Sequence, residues 1–221
     1  MRENLTELVF ILDRSGSMSG LEADTIGGFN SMIKKQQKEE GEAIVSTVLF
    51  DDQCEVLHDR VEISKIKKMT EDDYYVRGCT ALLDAVGGAI HHIGNIHKYA
   101  REEDRPAKTL FIITTDGLEN ASKRYTFKDI KRMIERQKEK YNWEFLFLGA
   151  NIDAIEVAGN MGIRKERAAN FVCDAVGTAV NYSVLDKAIS RVRKCKSSEM
   201  ACAFADGAWK AEIDEDYEAR K

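Results

Sequence analysis

Residues 7–12 (Glu-Leu-Val-Phe-Ile-Leu) form a nearly unbroken apolar run that stops abruptly at Asp13, the pattern of a strand buried on both faces of a parallel sheet. Beyond a Gly- and Ser-rich turn, Ile26, Phe29, Ile33 and Gln37 recur at helical spacing and predict a helix over 22–40. A second strand is expected over 43–50, and the turn Asp51-Asp52-Gln53 returns the chain along 54–58 as an antiparallel hairpin at the sheet edge. Residues 59–76 are polar and irregular, with at most one helical turn around Ile63, Ile66 and Met69. Leu82, Leu83, Val86, Ile90 and Ile93 then mark the inner face of a helix over 81–99.

The sole proline, Pro106, interrupts the chain ahead of a second doubly buried strand over 108–115, which stops at Asp116. Alternation continues with a helix over 126–140, a strand over 143–148, a helix over 152–161, a short strand over 168–172 and a long helix over 177–196. Strands alternating with helices of this length imply right-handed crossovers. The expected fold is α/β: a doubly wound, mostly parallel sheet with one antiparallel edge strand and helices on both faces. The sheet domain is expected over 1–196. Residues 197–221 carry Met200, Phe204 and Trp209 before an acidic run, and are read as a tail helix docked through those apolar residues, the alternative being a segment that awaits a partner.

A length of 221 residues, 43% of them hydrophobic and 32% charged, suits one globular α/β unit with a sizeable core. The net charge of −5, with basic and acidic residues interleaved, offers no global attraction to nucleic acid or to an anionic membrane. No stretch approaches the roughly 20 apolar residues of a membrane helix, and the first residues carry no secretion-signal pattern. Cys54, Cys79, Cys173, Cys195 and Cys202 are odd in number, widely spaced and without a C-x-x-C pair. They read as free thiols in a reducing compartment, and the expected location is the cytoplasm.

In open α/β sheets, ligands bind beyond the carboxyl ends of the strands, where Asp13 and Asp116 both fall. Asp13-Arg14-Ser15-Gly16-Ser17 sets one carboxylate and two hydroxyls at alternate positions around a glycine, so that all three can face one point. Such an oxygen-only set suits a hard cation, Mg²⁺ or Mn²⁺. The segment is similar to the first element, D-x-S-x-S, of the metal-ion-dependent adhesion site of von Willebrand factor A domains. Thr80 in Arg77-Gly78-Cys79-Thr80-Ala81-Leu82 resembles the family's distant Thr, and Asp116 in Ile113-Thr114-Thr115-Asp116-Gly117 its final Asp. The resemblance runs from Glu7 to Lys196. It implies that Ser15, Ser17 and Thr80 bind the metal directly, that Asp13 and Asp116 act largely through water, and that an Asp or Glu of a partner protein completes the octahedron.

Competing chemistries each lack a necessary residue. A phosphohydrolase using Asp13 as nucleophile expects an acid where Ser15 stands. A serine hydrolase expects G-x-S-x-G, but Gly16-Ser17-Met18-Ser19-Gly20 puts Met18 at the nucleophile position. There is no glycine-rich phosphate loop closed by Gly-Lys. His58, His91, His92 and His97 lack companions at zinc-ligand spacing. A metal-free scaffold keeps the fold but leaves the five-residue set without a use. Glu119 and Asn120 are expected as solvated loop residues. The chain is thus expected to be a binding module and not an enzyme.

Overall fold

A computed structural model describes residues 1–221. In chain order the elements are β1 (Arg2–Asp13), α1 (Glu22–Gln36), β2 (Glu42–Phe50), β3 (Cys54–Glu62), α2 (Leu82–Tyr99), β4 (Pro106–Thr115), α3 (Phe127–Tyr141), β5 (Glu144–Gly149), α4 (Ala154–Asn160), β6 (Ala168–Asn170), α5 (Ala175–Lys194) and α6 (Ala211–Arg220). The six strands form one sheet in the order β3-β2-β1-β4-β5-β6. Only the β2–β3 pair is antiparallel. The doubly wound α/β architecture with an antiparallel edge is therefore the observed one.

Strand periodicity explains the unbroken apolar runs. Leu8, Phe10 and Leu12 of β1 project into a core shared with α1, α5 and α6, while Val9 and Ile11 project into a second core shared with α2, α3 and α4. β4 and β5 divide in the same way, Ile112 and Leu146 to the first core and Phe111 and Phe145 to the second. Because every position of a central strand meets a helix layer, a charge there needs a partner. Glu7, buried in mid-strand, has two partners: Arg60 Nε at 2.6 Å and the His97 imidazole.

Several boundaries differ from expectation. β1 begins at Arg2 because a polar extension passes a register shift between Arg2 and Thr6 and pairs with Pro106. Pro106 opens β4 instead of breaking the chain before it, since a first strand position needs no N–H. α4 begins at Ala154, where Asp153 caps the amides of Ile155 and Glu156, two residues later than the apolar Ile152 suggested. Asp174 caps α5 through Gly177 N at 2.8 Å, so that helix starts earlier than predicted.

The final segment lies against the sheet. Met200, Phe204, Trp209 and Ile213 belong to the same core as Leu8 and Leu185, and the Trp209 indole donates to Glu166 O at 2.7 Å. Arg193 of α5 donates to the carbonyls of Gln36 at 2.5 Å and Gly41 at 2.9 Å, closing the end of α1. No helix is long and apolar enough to cross a membrane.

Candidate metal centre

β1 and β4 are parallel neighbours paired up to Leu12 and Thr114, so Asp13 and Thr115–Asp116 emerge side by side at the carboxyl edge of the sheet. The segment 14–21 turns back there through a short 3-10 turn, and the stretch before α2 brings Thr80 in from across β2. The five residues predicted from sequence meet at this point. Thr80 Oγ1 donates to Ser15 Oγ at 3.1 Å, Ser15 Oγ lies 3.0 Å from Ser17 Oγ, and Ser17 Oγ donates to Asp116 Oδ1 at 2.5 Å. Asp13, Ser15, Thr80 and Asp116 are buried, and Ser17 stands exposed at the rim.

Asp13 does not join the hydroxyl chain. Its Oδ1 accepts Ser15 N at 2.7 Å and its Oδ2 accepts Thr115 Oγ1 at 2.5 Å. Burial pushes the Asp13 carboxyl above the usual range, against the lowering effect of the hydrogen bonds from Thr115 and Ser15. A nearby cation would remove that penalty. Asp116 Oδ2 accepts a long contact from the Cys173 thiol at 3.4 Å, and burial together with the Asp116 charge pushes that thiol up to about 12.

Geometry and donor chemistry fit a small hard cation. Adjacent ligands of an octahedral ion with bonds of 2.0–2.1 Å lie about 3 Å apart, close to the Thr80–Ser15 and Ser15–Ser17 oxygen separations. Nowhere in the chain do three or more His, Cys, Asp or Glu side chains gather in a metal-binding group. A cation held at this point would take most of its direct ligands from hydroxyls. Gly117 leaves the room: a Cβ there would lie 3.1 Å from Ser17 Oγ and 3.3 Å from Thr80 Oγ1.

The bracing of these loops was missed from sequence. Arg14, the unspecified second residue of the motif, is fully buried, with Nε 2.9 Å from Asp51 Oδ2 and Nη2 2.8 Å from Glu55. Arg77 Nε meets the same Asp51 oxygen at 2.8 Å. The backbone adds Arg77 N to Arg14 O at 3.0 Å, Gly16 N to Gly78 O at 3.2 Å and Ala81 N to Asp51 O at 2.8 Å. Asp51 thus fastens the Ser15 loop to the Thr80 loop. Tyr74, also buried, donates its hydroxyl to Asp13 O at 2.5 Å. Gly78 sits at φ +66°, with no room for a Cβ beside Asp52.

Asn120 is exposed, as expected of a solvated loop residue, and Glu119 is half-buried, but both side chains also make hydrogen bonds. Asn120 Oδ1 accepts Thr80 N at 2.9 Å, and Glu119 accepts Leu83 N at 2.9 Å in the first turn of α2. An acid three residues past a strand-ending Asp was the available signal, but its target amide lies 36 residues away in sequence.

No protein-family profile matches the chain, and no curated protein sequence does. Solved structures match its fold. The von Willebrand factor domain of the type V pilus tip protein Mfa5 from Porphyromonas gingivalis superposes with a TM-score of 0.60 at 12% identity, over 86% of this chain and 96% of that one. Proximal thread matrix protein 1 of the mussel byssus, with a zinc-occupied MIDAS motif, gives 0.57 at 13% identity over 84% of this chain. The pilus adhesin SpaC of Lactobacillus rhamnosus GG, in an open conformation, gives 0.61 at 12% identity. The chain spans 46% of the mussel protein and 30% of the adhesin. The fold is therefore that of a von Willebrand factor A domain.

Proposed function

We propose that this chain is a divalent-cation-dependent protein-binding module. Ser15, Ser17 and Thr80 hold Mg²⁺ or Mn²⁺, Asp13 and Asp116 orient its waters, and an Asp or Glu from a protein partner takes the remaining coordination place. The observation that carries this reading is the meeting of three hydroxyl oxygens at octahedral-edge separations between two buried carboxylates. When bound, the ion supplies a positive charge that neutral hydroxyls leave largely uncompensated, so it attracts an external carboxylate. The exposed Ser17 marks the side from which that carboxylate arrives.

The same geometry argues for binding over phosphoryl transfer. Asp13 is 1% exposed and each of its oxygens already accepts a hydrogen bond, which leaves it poorly placed to attack a phosphorus atom. Five free cysteines, three of them exposed, support a reducing compartment and with it the cytoplasm.

Isothermal titration with Mg²⁺ and Mn²⁺ tests the metal. Saturable binding lost in Ser15→Ala and Thr80→Ala is expected, and no binding by the wild type refutes the reading. Capture of a partner that EDTA releases tests the second half. Turnover of a phosphomonoester by the wild type but not by Asp13→Asn would establish the enzyme instead.

A further inference from the structure

The net charge of −5 conceals a local reversal. On α3, Lys128, Arg132, Arg136 and Lys140 recur every fourth residue. Four residues advance a helix by about 6 Å and turn it about 40° past a full turn, so these cations form a ridge about 18 Å long that winds about a third of the way round α3, with Arg132 and Arg136 at its centre. Like charges at this spacing repel and weaken a helix; Asp129 offsets this at Arg132 and the helix dipole does so at Lys140, but neither acts on Arg136.

Arg132 and Arg136 border a groove of about 600 Å³ between α2 and α3, whose other fixed cations are Lys98 near the end of α2 and Arg105 just ahead of β4. No carboxylate lines it. The α3 acids Glu135 and Glu139 line a different groove with Lys131 and Lys138. Among the four cations only Arg132 makes an ion pair, with Asp129 at 3.1 Å on the surface. The acids nearest Arg105 in sequence, Glu103 and Asp104, are held by Arg101. Aromatic rings stand beside the charges: Tyr141, at the groove, is 48% exposed, and Tyr99 is 78% exposed with Lys98 Nζ 5.1 Å from its ring centre.

We propose that the α2–α3 face binds single-stranded nucleic acid, with phosphates on Arg132, Arg136, Lys98 and Arg105 and bases stacked on the exposed tyrosines. A single strand uses both features, a cationic track and ring faces on which bases stack. An acidic peptide would use the charges and gain little from the rings. Arg105 and Tyr141 lie where β4 and β5 begin, at the opposite edge of the sheet from Asp13 and Asp116. Binding here is therefore independent of the metal, and it reverses the expectation drawn from total charge.

Fluorescence anisotropy of the full chain with a labelled oligothymidylate of about 12 nucleotides, in EDTA, tests the proposal. Four phosphate contacts predict an affinity loss of about fifty-fold between about 50 and about 200 mM salt. Arg136→Glu is expected to weaken binding about tenfold or more, and Tyr141→Ala about tenfold. Lys131→Glu, on the other groove, should leave it within about twofold. No binding at about 50 mM salt overturns the proposal, as does an equal loss from Lys131→Glu. An oligoglutamate of equal charge binding as tightly also overturns it, in favour of an acidic protein partner.

Discussion

Replacing Asp51 by Asn removes one negative charge from a place where two guanidiniums converge. The Asp51 side chain is fully buried, and its Oδ2 lies 2.9 Å from Arg14 Nε and 2.8 Å from Arg77 Nε. Its Oδ1 accepts Gln53 N at 2.8 Å. In the variant, Arg14 stays fully buried with Glu55 as its one remaining carboxylate, and Glu55 is 54% exposed and screened by solvent. Breaking a buried pair from one side costs about 3–5 kcal/mol. Glu55 and the Tyr75 ring, 5.2 Å from the Arg14 guanidinium carbon, retain part of the stabilisation, so the low end of about 3 kcal/mol applies. For a chain of this size that is a fall in Tm of about 6–12 °C by calorimetry.

The pH dependence of Asp51 has a definite sign. Burial opposes its ionisation, but the hydrogen bonds from Arg77, Gln53 and Arg14 outweigh it and hold the carboxyl below the usual range. Its contribution is therefore present above the ordinary carboxylate pKa of about 4 and lost as the pH falls below it. The gap between wild type and Asp51→Asn should be full at neutral pH and shrink below about pH 4. If the variant melts within about 2 °C of the wild type at neutral pH, the claim that Asp51 fastens the two loops is wrong. The double variant Arg14→Met/Asp51→Leu should recover much of the stability, because apolar groups of similar volume replace buried pairs at little cost.

Four further outcomes follow from the geometry. Mg²⁺ at about 100 times its dissociation constant should stabilise the wild type by about 2.7 kcal/mol, read as a Tm rise of about 5–11 °C that EDTA reverses and Ser15→Ala lacks. Gly78→Ala, at φ +66° and with its Cβ 2.2 Å from Asp52 Oδ1, should cost about 1–3 kcal/mol in urea denaturation and weaken Mg²⁺ binding with it. Trp209→Ala should cost about 3–5 kcal/mol, since the indole is buried against Phe204 with its N–H bonded to Glu166 O; a cost under about 1 kcal/mol would mean that 197–221 contributes little to the fold. In alkylation followed by mass spectrometry near pH 8, the exposed Cys79 and Cys202 should react well before Cys173, whose thiol burial pushes up to about 12.

What the sequence made legible was whatever depends on local periodicity. Doubly buried strands declare themselves as apolar runs because both their faces meet helices, and Asp13 and Asp116 declare themselves because each ends such a run. Strand ends and helix caps were less legible. Pro106 is a breaker in isolation and a strand opener in place, because β1 needs no N–H from it. The bracing was not legible at all. Arg14 and Asp51 lie 37 residues apart and Asn120 and Thr80 lie 40 apart, and nothing in either neighbourhood marks the pairing. The charge pattern of α3 was not legible for the same reason: residues interleaved in sequence are sorted by the helix, Arg132 and Arg136 toward one groove and Glu135 and Glu139 toward another.

These long-range pairs bear directly on how a site built of hydroxyls can hold a cation. Three neutral oxygens attract an ion weakly, so affinity must come from placing them before it arrives, with little ordering left to do on binding. Thr80 is fixed through Asn120 and the Asp51 backbone, Ser15 through Asp13, and both loops through Arg14 and Arg77. Ser17, on the exposed rim, bonds only to other members of the site, Ser15 and Asp116, and has no brace from outside it. Its removal should therefore weaken metal binding less than removal of Ser15 or Thr80, while changing more strongly how an incoming carboxylate is received. Titration of Ser17→Ala with Mg²⁺ separates the two effects: an affinity loss as large as that of Thr80→Ala would show that bracing does not set the ligand strengths.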